Sequence, residues 1–191
     1  LKGKHQIYNA GHAIACLDHI NLTIDESAIH NGVSKVKWPG RLQRILQGSL
    51  LKKLPKGSEL WVDGAHNPAG ATVVAKSMED MSSEDSITKP LVLILGFVQT
   101  KDVQSFLTQF SDIAIKLVAV PASDKHSSTD PKIIVDIGNS LGIESIYAIN
   151  ITRGVDLIKE TIGDQSKPRV LICGSLYLAG EALTLSGLSI T

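Results

Sequence analysis

The sequence predicts an α/β fold: an open, mostly parallel sheet with helices on both faces. Two observations lead there. From Leu91 onward, short aliphatic and β-branched runs alternate with longer stretches of helical period. The runs are apolar at successive rather than alternate positions, the pattern of strands covered on both faces. A strand followed by a helix, repeated, is the grammar of a parallel sheet.

Taken in order, HQIYNAGHAIACLDHI at 5–20 places Ile7, Ala10, Ile14 and Leu17 on one helical face, and INLTIDESAIHNGVSK holds a second helix with Asp25 near its start and Gly32 near its end. No strand separates the two, so this part is not a βαβ unit. KWPGRLQ follows, where Pro39 and Gly40 break the preceding helix. A boundary is placed here: 1–39 is a helical segment and 40–191 the sheet domain. ELWVDG at 59–64 is the first predicted strand, AGATVVAKSMEDM a helix, and SMEDMSSEDSITKP at 77–90 a polar loop. LVLILGFV is a second strand. In KDVQSFLTQF, Val103, Phe106, Leu107 and Phe110 recur at helical spacing. AIKLVAVPA is a third strand, and in DPKIIVDIGNSLG Asp130 caps a helix, Pro131 opens it and Gly142 ends it. SIYAINI, TRGVDLIKETIGD and PRVLICG complete the alternation, giving about five strands.

Nineteen basic and nineteen acidic residues leave no net charge and no electrostatic footprint for nucleic acid or an anionic membrane surface. The longest apolar runs fall far short of the roughly 20 residues of a membrane span, and no signal peptide is visible. Cys16 and Cys173 lie in apolar segments without CxxC spacing, which reads as two reduced core thiols of a cytoplasmic protein and offers no metal site. The chain starts at Leu1, already approaching a helix, which suggests a piece of something longer.

In a parallel sheet, ligands bind beyond the carboxyl ends of the strands. Three predicted strand-to-helix loops carry unusual residues: DGAHNP at 63–68, GFVQTKD at 96–102 and CGSLYLAG at 173–180. Asp63 can accept from a sugar hydroxyl, His66 can act as donor or base, and Asn67-Pro68 opens a helix whose N–H groups attract an anion. Equally, Asp63 and Asn67 can simply cap the turn. Lys101 is a candidate cation beside the cap Asp102, and Ser175 suits a carboxylate or phosphate, or an ordinary capped turn. Arg41 after Trp38-Pro39-Gly40 can clamp a phosphate or rest on Trp38. Asn9 can read a base edge or face solvent. The P-loop pattern and GxGxxG are both missing. No nucleophile, acid and base assemble into a complete site, so the chain looks like half of one.

HQIYNA, WPGR, DGAHNP, LGFVQTKD and GSLYLAGE, in this order and spacing, resemble the C-terminal portion of the folylpolyglutamate synthase / dihydrofolate synthase family of the Mur ligase superfamily. The resemblance runs from Gly3 to about Glu181. It implies an ATP-dependent ligase, acting with Mg2+, that phosphorylates the carboxylate of dihydropteroate or of a folate and joins it to L-glutamate through an acyl phosphate. It also implies a Rossmann-like glutamate-ligase domain at 40–191, the end of the ATP-binding domain at 1–39, a monomer, and a preceding N-terminal domain that bears the P-loop and metal ligands. Carried over by position, Asn9 contacts adenine, Arg41 reaches the phosphates, Asp63 lies near the ribose and hinge, and His66 and Ser175 serve the incoming glutamate, with Lys101 as a further candidate. Without a P-loop, the chain alone is expected not to catalyse ligation. Two alternatives stay open: a cell-wall ligase domain of the same superfamily, and a binding or regulatory module that kept the sheet without catalysis.

Overall fold

The apolar runs become strands because β-branched and aliphatic side chains fill both faces of a pleated sheet. A computed structural model of the chain describes residues 1–20, 23–122 and 128–188. The elements are α1 (His5–Asp18), α2 (Glu26–Lys35), β1 (Gln43–Ile45), α3 (Ser49–Lys53), β2 (Glu59–Val62), α4 (Pro68–Glu84), β3 (Leu91–Leu95), α5 (Val103–Thr108), β4 (Ala114–Ala119), α6 (Pro131–Ser140), β5 (Glu144–Tyr147), α7 (Ile151–Ile162), β6 (Arg169–Cys173) and α8 (Leu176–Leu185). The strands form one sheet in the order β1-β2-β6-β3-β4-β5, all parallel except β1, which runs antiparallel to β2.

Period-two alternation divides the core into two layers. Trp61, Leu93, Leu117 and Leu171 point to one face and pack with α4, α5 and α6, where Val74, Phe106 and Ile134 are buried. Leu60, Ile94, Val118 and Ile172 point to the other and pack with α3, α7 and α8, through Leu50, Val155 and Leu178. Chain connections leave β3 toward β4 and β5 on one side and return to β6 on the other, which makes β3 and β6 the switch point of the sheet.

The five predicted strands and the helices between them form, and the predicted caps hold. Asp130 accepts from Lys132 N at 2.9 Å and Asp102 from Ser105 N at 3.0 Å. Val103, Phe106, Leu107 and Phe110 are all buried, the face expected of them.

Four expectations are corrected. Residues 77–84 are helical rather than a polar loop: Met78 and Met81 continue the apolar stripe of Ala71, Val74 and Ala75, Glu79 and Asp80 pair with Lys76 on the outer side, and the buried Ser77 Oγ donates to Val73 O. The sheet has a sixth strand, β1, at its edge. The second predicted helix forms as α2, with Asp25 as its N-cap and Gly32 in its last turn; of the stretch beginning INLT, residues 21 and 22 lie outside the described residues. Cys16 is exposed on α1, and only Cys173 is a core thiol, its pKa pushed well up by burial. Neither α1 nor α2 contains a buried residue, and Ile7 of the predicted apolar face is 72% exposed.

An ion network closes the amino edge of the sheet. Glu59 accepts from Arg169 Nε at 2.8 Å, Lys89 Nζ at 2.8 Å, Arg44 Nη2 at 3.1 Å and Trp61 Nε1 at 3.0 Å. Asp85 takes the other side of Arg169 at 2.8 Å and Lys89 at 3.1 Å. Burial alone raises a carboxyl's pKa, but these donors outweigh it and bring Glu59 down to about 2.

Candidate functional site

At the opposite, carboxyl edge, the parallel register puts Val62 and Ile94 either side of Ile172, so the loops after β2, β6 and β3 emerge next to one another. Backbone hydrogen bonds join them: Asp63 N donates to Ile172 O at 3.0 Å, and Gly174 N to Ala65 O at 2.8 Å. Gly174 is required there, with φ of 101° and with Gly96 O only 2.9 Å from where a Cβ would stand. The three predicted loops do share one edge.

The WPGR segment joins the same place. Gly64 N donates to Gly40 O at 2.8 Å. Asp63, 6% exposed, spans the gap: Oδ2 accepts from Leu42 N and Oδ1 from Ala65 N, both at 2.7 Å. Leu42 is the one non-glycine residue at positive φ among the described residues, at 41°, a strained position that the Asp63 carboxylate holds in place. Burial raises the Asp63 pKa; the two N–H groups, Arg41 and His5 oppose it. The carboxylate thus braces the segment after Pro39-Gly40 as well as capping the turn.

Arg41 lies between Gly40 and Leu42, so its direction is set by this brace. Its guanidinium sits 6.0 Å from the centroid of the Trp38 ring and makes no ion pair with the described residues. A Cβ on Gly64 would run into Leu176 and stand 3.4 Å from Arg41 Nη1, so the missing side chain is what lets both lie over the turn.

His66 is half-buried, and its Nδ1 lies 2.9 Å from Gly64 O. A carbonyl only accepts, so Nδ1 carries the proton and the Nε2 lone pair is left facing outward. Asn67 accepts from Gly70 N at 2.8 Å and Pro68 opens α4, the cap that was expected. Ser175 is buried at 3% exposure and caps α8, accepting from Tyr177 N at 3.1 Å. Asp63, His66, Ser175 and Arg41 therefore converge. Lys101 sits on the neighbouring loop after β3; its backbone N donates to Val98 O at 3.2 Å, while its side chain makes no hydrogen bond or ion pair with the described residues.

Asn9 is exposed on α1, and its Nδ2 donates to Gln6 Oε1 at 3.1 Å. Gln6 Nε2 lies 2.8 Å from His5 Nε2. The His5 ring is in the field of both Asp63 and Arg41, which places the start of α1 beside the hinge. Lys4 pairs with Asp80 of α4 at 3.1 Å and anchors it there. His5, Gln6 and Leu42 were not singled out by sequence reasoning. The i, i+3 spacing of Gln6 and Asn9 was the available signal for Gln6; for Leu42 there was none, because its backbone angle depends on a carboxylate 21 positions away.

GNSLG at 138–142 has the spacing of a nucleophile elbow, but it runs out of the end of α6 rather than from a strand into a helix, and Ser140 Oγ donates to Ile137 O at 2.7 Å. No group of three or more His, Cys, Asp or Glu side chains is placed to hold a metal ion among the described residues.

The mostly parallel, doubly wound sheet, whose carboxyl edge joins Arg41 of the Pro-Gly segment to two capped turns, defines an α/β domain of the Rossmann-like kind. The chain belongs to the family described as dihydrofolate synthetase, C-terminal domain, which matches residues 49–185. It is 29% identical over 189 residues to a probable dihydrofolate synthetase of Schizosaccharomyces pombe, covering 95% of this chain and 42% of that protein. It is 25% identical over 204 residues to a dihydrofolate synthase/folylpolyglutamate synthase of Mycobacterium tuberculosis, covering 98% and 39%. The crystal structure of Mycobacterium tuberculosis folylpolyglutamate synthase complexed with ADP and AMPPCP superposes with a TM-score of 0.82 at 25% identity, covering 99% of this chain and 41% of that one. The chain thus spans less than half the length of these relatives. The resemblance drawn from the motifs and the family found by comparison agree.

Proposed function

We propose that this chain forms part of an ATP-dependent ligase that adds L-glutamate to dihydropteroate, to folates, or to both, working in the cytoplasm. The observation that carries the proposal is the convergence of Arg41, Asp63, His66 and Ser175 at one sheet edge, in a chain whose family is that of dihydrofolate synthetase. In the same proposal, residues 1–39 are the end of an ATP-binding domain and 40–191 the glutamate-ligase domain. The absence of any buried residue in α1 and α2 supports a segment whose main packing partner lies elsewhere.

The chemistry follows from leaving groups. A carboxylate oxygen attacks the γ-phosphorus of ATP and ADP departs; the glutamate amine then attacks the acyl carbon, phosphate departs, and the nitrogen gives up a proton. The residues present fit a nucleotide: Asn9 offers an exposed amide for the base, Asp63, which braces the turn beside Arg41, is assigned to the ribose side, and Arg41 offers a guanidinium without an ion pair among the described residues, matched to phosphate oxygens. His66 Nε2 is free to accept the amine proton, and Ser175 and Lys101 stand near to take the carboxylates of glutamate. They do not fit a resident Mg2+, since no ligand cluster forms among the described residues.

Replacing His66 with alanine in the full-length ligase is the test. A raised KM for glutamate with a turnover loss of about 100-fold is expected. Unchanged glutamate KM and turnover would remove His66 from the mechanism. The 191-residue chain alone is expected to show no glutamate-dependent ATP hydrolysis.

A further inference from the structure

We propose that His5, Gln6 and Asn9 form an amide relay that sets the purine specificity of the nucleotide site: adenine is accepted while His5 is neutral, and a 6-oxopurine gains when His5 is protonated. The proposal rests on the placing of Asn9 beside the nucleotide base made above.

The geometry carries it. An amide nitrogen only donates, so in the 2.8 Å contact between Gln6 Nε2 and His5 Nε2 the ring nitrogen accepts and the ring proton sits on Nδ1. This fixes the other end of the Gln6 amide: Oε1 faces Asn9 and accepts its Nδ2–H at 3.1 Å. With one Asn9 N–H spent sideways, the outward edge presents Oδ1 and the second N–H in a set order. An asparagine amide in such an order is bidentate to adenine, whose amino group donates and whose adjacent ring nitrogen accepts.

Protonation of His5 puts a hydrogen on Nε2, which can no longer face an NH2 group. The Gln6 amide then turns over, its NH2 meets Asn9, and Asn9 turns in response. Every hydrogen bond within the relay survives, but donor and acceptor on the outward edge exchange places. That reversed order matches a base with an acceptor oxygen and an adjacent ring N–H, as in hypoxanthine. The groups that tune the switch come from each packed element: Asp63 from the turn after β2, which favours the charged ring, Arg41 from the hinge, which disfavours it, and α4, which presents Ser77 beside Gly3 and Asp80 already paired with Lys4. Burial of the ring and Arg41 prevail over Asp63 and lower the His5 pKa below its ordinary 6.5, so the adenine order is the one held at neutral pH.

The full-length ligase is assayed for glutamate-dependent phosphate release with ATP and with ITP, which differ at this edge, between about pH 5.5 and 8. The wild type is expected to prefer ATP, by the ratio of KM values, with the preference falling about tenfold as pH drops through the His5 titration. Gln6→Leu breaks the relay: the preference is low at every pH. Gln6→Glu accepts from Asn9 and from a charged His5 alike, so the preference is restored and no longer depends on pH. Thermal unfolding of both variants checks that the fold is kept, since Gln6 is half-buried in the first turn of α1. If Asn9→Ala changes neither nucleotide's KM, the placing of Asn9 fails and the relay with it. If Asn9→Ala raises the KM for ATP while both Gln6 variants keep the wild-type ratio and pH profile, the relay alone is overturned.

Discussion

Glu59 and Asp63 stand at the two ends of β2, each at 6% exposure, and their pKa values move in opposite directions. Glu59 meets two lysine or arginine groups at 2.8 Å and a third at 3.1 Å, and falls to about 2. Asp63 meets two backbone N–H groups and only the more distant field of Arg41 and His5, and rises. Asp63 lies deeper among protein atoms and meets neutral donors, whereas Glu59 meets cations, so desolvation wins at one end of β2 and the partners win at the other. At the amino edge, cations are spent on the carboxylates to join β1, β2, β6 and the end of α4. At the carboxyl edge, the carboxylate is held by neutral donors and the arginine beside it makes no ion pair with the described residues. One end is built to hold; the other keeps a charge available.

Three changes break or sharpen this contrast. The largest effect is expected from Glu59→Ala, which leaves Arg169 buried with a single partner: denaturant unfolding should show a loss of about 3–5 kcal/mol, and an m-value-corrected change under 1 kcal/mol would show that the network is idle. Next is acid. A carboxyl lowered from 4.5 to about 2 contributes stability present above its unfolded value and lost as pH falls toward the folded one, here about 3 kcal/mol between pH 4.5 and 2. Unfolding curves across that window should lose most of this increment in the wild type and little of it in Glu59→Gln. The smallest stability effect is expected from Asp63→Asn, which turns one acceptor toward an N–H and costs about 1–3 kcal/mol. Under the proposed function, its activity loss in the full-length protein should be larger than this stability cost explains, because Leu42 is released from its strained angle and Arg41 loses its aim. Equal loss in Asp63→Asn and in a core variant of matched stability would show that the brace has no functional part.

The same contrast shows what was legible. The network at Glu59 was invisible: Asp85 and Lys89 lie in a stretch that reads as a polar loop, and Arg169 sits 110 positions from its partner. β1 was equally hidden, since three residues are too few for a period and its pairing is supplied by β2. At the carboxyl edge, Asp63, His66, Asn67, Ser175 and Arg41 were all identified by residue type at the ends of apolar runs. What each does locally was left open between cap and ligand. In the structure Asn67 and Ser175 are caps, and Asp63 is a cap and a brace together.

The sequence by itself determined the five parallel strands, their order of appearance, the helix caps and the family, because these rest on local patterns: apolar runs, Asx and Ser before helices, Pro at the first helical turn, and motifs a few residues long. Tertiary structure decided which loops meet, that β3 and β6 form the switch point, that Leu42 takes a left-handed angle, and that the carboxylates at the two ends of β2 carry opposite shifts. These depend on groups brought together from distant parts of the chain. Electrostatics falls off with distance through space, and the sequence records only distance along the chain.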